Sequence, residues 1–233
     1  MLTLNGFEKA LEYWQLFLQG AVCTVSLSAL TVFFGFILAL LLAVCRLGRS
    51  KVLKAIATAY VELFRATPMV VQVFIIFYVV FNGVKVLPGF KLFGFIRFER
   101  FFPAVVALAL NSGAYLSEII RSGIQSIDGG QTEAARSLGL SAWKTMRFVV
   151  LPQAIKNILP AIANEFVTII KESAICYTIG VQDIMSAVNA VKGSTYRIGE
   201  ALIIATVLYF CLTYPTSKVI AHFERKMSRG DVR

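Results

Sequence analysis

From Leu16 to Cys45 the chain carries no Asp, Glu, Lys or Arg. About 20 apolar residues suffice to cross a bilayer as a helix, so this run crosses with residues to spare. Backbone amides inside lipid must find partners within the segment itself, which makes a helix the expected state. The rest of the chain agrees: it is 58% hydrophobic and only 15% charged, too little charge to clothe a soluble domain of 233 residues. Glu8 and Glu12 stand where a secretion signal would carry basic residues, so this span is expected to stay in the mature protein.

The pattern predicts an all-α integral membrane protein with five crossings, at about 16–46, 57–84, 102–125, 155–177 and 198–222. Glu62 and Arg65 sit at the start of the second, and Glu165, Lys171 and Glu172 interrupt the fourth. Residues 1–15 read as an interfacial segment with Phe7, Leu11 and Trp14 at helical spacing, a disordered leader being the alternative. The membrane domain then covers 16–222 and a cytoplasmic tail covers 223–233.

The formal net charge is +10, but its cations follow no groove-binding motif, which argues against nucleic acid as a partner. They sort by side instead. Arg46, Arg49, Lys51 and Lys54 follow the first span. Arg121, Arg136, Lys144, Arg147 and Lys156 surround the third connection, and Lys218, Arg225, Lys226, Arg229 and Arg233 fill the tail. Together they outnumber Lys9, Lys85, Lys91, Arg97, Arg100, Lys171, Lys192 and Arg197 on the other side. Cations favour the cytoplasm, so the amino terminus is expected outside and the tail inside. Cys23, Cys45, Cys176 and Cys211 lie far apart without paired metal spacing, and His222 is the single histidine, so no metal site is expected.

The third connection is the informative one. Residues 128–160 read DGGQTEAARSLGLSAWKTMRFVVLPQAIKNILP, a polar insertion between apolar segments. Thr132 can cap a helix running to about Leu138, with Glu133 near its positive end. Gly139 suits the left-handed residue that stops a helix. Ser141 can cap a second short helix ending near Phe148, and Pro152 fits the first turn of the next. Ala134 and Ala135 lack bulk, so another protein's surface could approach this backbone, and Glu133 offers a carboxylate to a basic partner. On periodicity alone an ordinary amphipathic hairpin at the membrane surface is the better account of the segment.

Its register, Glu133-Ala134-Ala135, then Gly139, then Val149, Leu151 and Pro152, resembles the EAA loop of binding-protein-dependent ABC importer permeases. The resemblance extends from about Gly20 to the end of the last span and is closest to the polar amino-acid (histidine, glutamate, glutamine, arginine and opine) permeases. It rests on Gly20, Thr24 and Ser28; on Tyr60, Glu62, Arg65, Thr67 and Pro68; on Gly113, Tyr115, Glu118 and Arg121; on Gly130 and Gln131; and on Gln153, Asn164, Lys171, Glu172 and Ser173. After Lys171 the chain reads Glu-Ser-Ala-Ile where that family more often has Asp-Thr-Ser-Leu.

Such a resemblance implies the type I importer permease fold, with residues 128–152 as a cytoplasmic coupling loop. It implies a subunit without catalysis of its own, whose partners are a cytoplasmic ATPase dimer that binds ATP and magnesium, a second permease copy or paralogue, and an extracytoplasmic amino-acid-binding protein at the bacterial inner membrane. The chain has no G-x-x-x-x-G-K-[ST] phosphate loop and holds no cofactor of its own. Coupling would fall to Glu133, Ala134, Ala135 and Gly139. An importer for another small polar solute, or a stand-alone secondary carrier, are the alternatives. Carriers often show two matching halves, and no internal repeat is visible.

Ionisable residues in a span usually face a bundle interior or a wet cavity. Tyr115 and Glu118 share one face of the third span, and Asn164, Glu165, Lys171, Glu172 and Ser173 cluster on the fourth. One reading makes Tyr115, Glu118, Asn164, Glu172 and Ser173 the route of a zwitterionic solute. The other makes them structural, with Glu118 paired to Arg121 and Lys171 to Glu172 or Glu165. Glu62 and Arg65, one turn apart, read as an interfacial ion pair, and Gly35, Gly48, Gly83 and Gly113 as helix-packing positions.

Overall fold

The protein is described from a computed structural model covering residues 2–81 and 87–228, so Gly83, Lys85, Arg229, Arg233 and the end of the second expected span lie outside the described residues. A short α1 (Leu4–Leu11) is capped by Thr3, whose hydroxyl accepts from the Gly6 amide at 3.1 Å. It buries Gly6 and Ala10 and leaves Leu4 and Leu11 exposed, while Trp14 opens α2 (Trp14–Leu47) rather than closing α1.

Ser50 caps α3 (Lys51–Ala66), and α4 (Met69–Phe74) continues as a π-helical turn over Ile75–Phe81. The single helix expected over 57–84 is therefore corrected to two pieces whose axes differ by 108°. Pro68 is the cause: its ring excludes the helical conformation at Thr67, which is extended (φ −111°, ψ 146°), and it supplies no amide to the ladder. A two-stranded hairpin follows, β1 (Lys91–Leu92) pairing antiparallel with β2 (Ile96–Arg97).

Next comes α5 (Phe98–Gln125), then the short α6 (Gly129–Ser137) and α7 (Ala142–Thr145). A π-helical turn over Met146–Val150 runs straight into α8 (Leu151–Glu172), which tightens to a 3-10 helix over Ser173–Ile179. Past a second bend, of 46°, lie α9 (Ile184–Thr195) and α10 (Ile198–Ser228). By length and composition α2, α5 and α10 can each cross a membrane, and the two bent pairs would bring the crossings to five.

The organising helix is α5. In its most apolar window 72% of residues are buried, against 17% in α10, so α5 lies at the centre and α10 at the rim. Cys23 and Leu27 of α2, Val73 of α4, Ala104 and Leu108 of α5 and Cys176 form one apolar core around it. Small residues set the α2–α5 crossing. A Cβ on Gly35 would stand 3.2 Å from Ser112 Cβ, and one on Gly113 would stand 2.8 Å from Leu38. Gly48 instead ends α2, with its amide on the Val44 carbonyl.

Candidate functional site

The hairpin between α5 and α8 shows how local chemistry bends the chain. Asp128, not Thr132, caps α6: its Oδ1 accepts from the Gly130 amide at 2.8 Å. The helix starts four residues earlier than Thr132 would place it, because Gly129 and Gly130 tolerate the first turn and Asp128 is the stronger cap. Gly139 takes φ +85°, the left-handed value that ends α6, and Ser141 caps α7 by accepting from Lys144 N at 3.3 Å. The second short helix does not stop near Phe148, since the backbone widens into the π turn there and continues. Pro152 lies in the first turn of α8, as its missing amide requires.

Glu133, Ala134 and Gly139 are exposed on this hairpin, but Ala135 is buried in it, only 5% accessible. The bulk that points outward belongs to Leu138, Trp143 and Phe148. Ala135 is small so that α6 can lie close to its own chain, which leaves Ala134 as the open alanine.

Three helix ends meet at Glu118 on α5. Arg46, at the end of α2, donates to Oε2 at 2.7 Å. Arg121 grips both carboxylate oxygens, through Nε at 3.2 Å and through Nη2. Arg65, from the last turn of α3, stands 3.9 Å from Oε2 and lies over the Tyr115 ring, 5.6 Å from its centroid. The expected Glu62–Arg65 pair is thus replaced by Arg65 against Glu118, because Arg65 projects toward α5 while Glu62 is exposed. Seven residues beyond Arg65, Gln72 Nε2 converges on the Phe64 carbonyl (2.8 Å), the Thr67 carbonyl (3.0 Å) and Thr67 Oγ1 (2.7 Å). Asn111 of α5 donates to Gln72 Oε1 at 2.8 Å. These amides satisfy the carbonyls that Pro68 leaves without partners.

The sequence reading missed Gln72 and Asn111. The signal was a lone amide in each of two apolar runs, one of them four residues after a proline.

On α8, Asn164, Thr168 and Glu172 recur every four residues and so share one face. Asn164 and Glu172 are exposed, and Thr168 Oγ1 donates to the Asn164 carbonyl at 3.2 Å. Glu165 turns to α5, where Ser112 Oγ donates to it at 3.2 Å, in place of the expected partner Lys171. Ser173 is fully buried and donates to the Ile170 carbonyl. The five expected route residues therefore do not form one cluster. Tyr115 and Glu118 belong to the arginine group, Asn164 and Glu172 to the exposed ladder, and Ser173 to the core.

Residues 13–229 match the protein family described as binding-protein-dependent transport system inner membrane component. The chain is 40% identical to the arginine transport system permease protein ArtQ of Bacillus subtilis over 214 residues, which cover 92% of this chain and 93% of that protein. It is 37% identical to a putative glutamine transport system permease protein GlnP of Rickettsia typhi, covering 90% and 92%. Among solved structures, an amino acid ABC transporter crystallised with histidines superposes with a TM-score of 0.87 at 39% identity, covering 97% of this chain and all of that one. The inward-facing MetNI methionine transporter shares the fold at a TM-score of 0.71 and 21% identity.

Proposed function

The chain belongs to the family of binding-protein-dependent transport system inner membrane components, and from that premise we propose that it is the permease subunit of an importer for polar or charged amino acids. Five crossings would set the two ends of the chain on opposite sides of a bacterial inner membrane, and the cation bias of the connections supports an amino terminus outside and the carboxyl-terminal end of α10 in the cytoplasm. A second permease, identical or related, completes the route, and a cytoplasmic ATPase dimer and an extracytoplasmic binding protein complete the machine.

The observation that carries this reading is the hairpin: two capped short helices turned about Gly139, presenting Glu133, Ala134, Leu138 and Trp143 on one exposed elbow. The π turn at its exit joins it without interruption to α8. A push on the elbow therefore moves α8 as a lever, and with it the Asn164–Thr168–Glu172 face. ATP binding would close the ATPase subunits and draw the elbows together. The route would then open outward to receive cargo, and hydrolysis would restore the inward state.

Glu172 and Asn164 supply exposed hydrogen-bonding groups along that face. Glu118 holds three helix ends together, and Ser173 fixes the top of α8. Glu172→Gln is expected to slow ATP-driven uptake of labelled amino acids while leaving assembly intact.

Cysteine crosslinking tests the coupling role. Ala134→Cys and Leu138→Cys are expected to capture the ATPase subunit, whereas Ala135→Cys is not, since that position is covered by its own chain. Labelling of position 134 or 138 solely from outside the cell would overturn the reading.

A further inference from the structure

We propose that Arg65 receives the carboxylate of the cargo at the elbow between α3 and α4, with the Tyr115 ring as its support. The assignment rests on the amino-acid importer reading above.

Three arginines face Glu118, but they are not equivalent. Arg46 and Arg121 occupy its two oxygens with direct hydrogen bonds. Arg65 stands beyond hydrogen-bond reach at 3.9 Å, and its side chain is 44% exposed where that of Arg46 is 11% exposed. Three cations around one carboxylate leave an excess of positive charge; Arg121 is 30% exposed but spends its donors on Glu118 and on Gln125, so Arg65 is the one with open donors to answer it. A guanidinium offers five N–H donors in a planar fork suited to a second carboxylate. Stacking over Tyr115 steadies the guanidinium and leaves hydrogen-bonding capacity unspent. Tyr115 is itself 40% exposed, so the pair lies open.

The location fits as well. Arg65 precedes the Thr67–Pro68 break by two residues, and broken helices at membrane depth are tolerated where they line a cavity or a binding site. Every amino acid carries a backbone carboxylate whatever its side chain. A fixed guanidinium would therefore serve a route that takes several related cargoes. Phospholipid phosphates offer the same anionic chemistry, and the experiment separates the two sources.

The test uses the assembled transporter in lipid nanodiscs without nucleotide. Binding of labelled L-arginine is compared with agmatine, and of L-glutamine with 4-aminobutanamide, each amine lacking only the carboxylate. The wild-type assembly is expected to favour the carboxylate-bearing member by about tenfold or more, the loss of one charge-assisted bond pair. Arg65→Gln should abolish that preference while ATPase activity shows that the assembly is intact. Arg65→Lys keeps the charge but not the fork, and should lose about threefold to tenfold of the preference. Should the glutamine variant fail to assemble, the lysine variant carries the test alone.

A wild-type assembly that binds neither amino acid sinks the amino-acid reading and this assignment together. A wild-type preference that survives in both Arg65 variants overturns the assignment and leaves the reading standing. A third outcome also overturns it: an Arg65 variant that loses stabilisation by phosphatidylglycerol but keeps its preference for the carboxylate would assign the guanidinium to lipid.

Discussion

At Thr67–Pro68 the helical path turns through 108°, and around Gly180 it turns through 46°. Both bends release backbone groups inside an apolar protein, and the chain satisfies them by different means. The first concentrates the work in one pair of amides: Gln72 reaches the Phe64 and Thr67 carbonyls and Thr67 Oγ1, and Asn111 holds Gln72 while itself donating to the Phe64 carbonyl at a longer 3.4 Å. The second spreads it. Arg100 donates to the Ile179 carbonyl at 3.0 Å, Asp183 caps α9 through the Ser186 amide at 2.8 Å, and the Ile184 amide approaches Thr24 Oγ1 at 3.5 Å. A break served by one hub should fail abruptly, and a break served by many partners should fail by degrees.

The largest effect is therefore expected at Gln72. Gln72→Leu keeps the volume but removes the donor to the Thr67 carbonyl, the shorter bond to the Phe64 carbonyl and the nearer acceptor of the Asn111 amide, a loss of about 3 kcal/mol at about 1 kcal/mol for each bond. Thermal unfolding of the solubilised assembly should show a marked fall in Tm. Adding Asn111→Leu should then cost less than the same change in the parent, because that amide has already lost Gln72 Oε1 and keeps only its 3.4 Å contact to the Phe64 carbonyl; such non-additivity is the signature of a hub. Additive losses at the two positions would show that Gln72 and Asn111 act separately.

Gly180 comes second. Its φ of +82° costs a residue with a Cβ about 1–2 kcal/mol. The new methyl of Gly180→Ala would also collide with the Arg100 guanidinium, which would have to leave the Ile179 carbonyl. About 2 kcal/mol of stability loss is expected from strain and the displaced bond together, still below that at Gln72. Gly139, at φ +85° but with open space around it, isolates the strain: Gly139→Ala should cost less than Gly180→Ala in the same melting experiment.

These two bends also mark how far the amino-acid sequence was readable. Long apolar runs located α2, α5 and α10 within a few residues, since a bilayer demands length and hydropathy and both are written locally. Gly139, Ser141 and Pro152 announced the hairpin because each imposes a backbone state whatever its neighbours do. The cap at Asp128 was missed in favour of Thr132, a choice between two good caps that the following glycines decided.

The bend at Pro68 was also written locally but was masked by the apolar run around it. Partners were a different matter. Nothing local tells Arg65 to prefer Glu118 over Glu62, because that depends on how α3 crosses α5. Likewise Asn164, Glu172 and Ser173 are near neighbours in the chain, yet the first two face outward and Ser173 faces the core.

The smallest effect sharpens the contrast at the second bend. Asp183 is buried, 1% accessible, with Oδ1 on the Ser186 amide and Oδ2 without a partner among the described residues. A cavity of about 150 Å³ bordered by Gln19, Gln182 and Ser186 lies beside it, roomy and polar enough for water. Capping needs only the first oxygen. Asp183→Ala should then lose about 1 kcal/mol, the usual worth of an N-cap, whereas Asp183→Asn keeps an equivalent cap and cannot place a charge at this buried position. The asparagine variant is expected to melt at or slightly above the parent temperature. Were it to fall as far as the alanine variant, the second oxygen would be binding something in that cavity. The bend would then have a hub of its own, and the distinction between the two elbows would disappear.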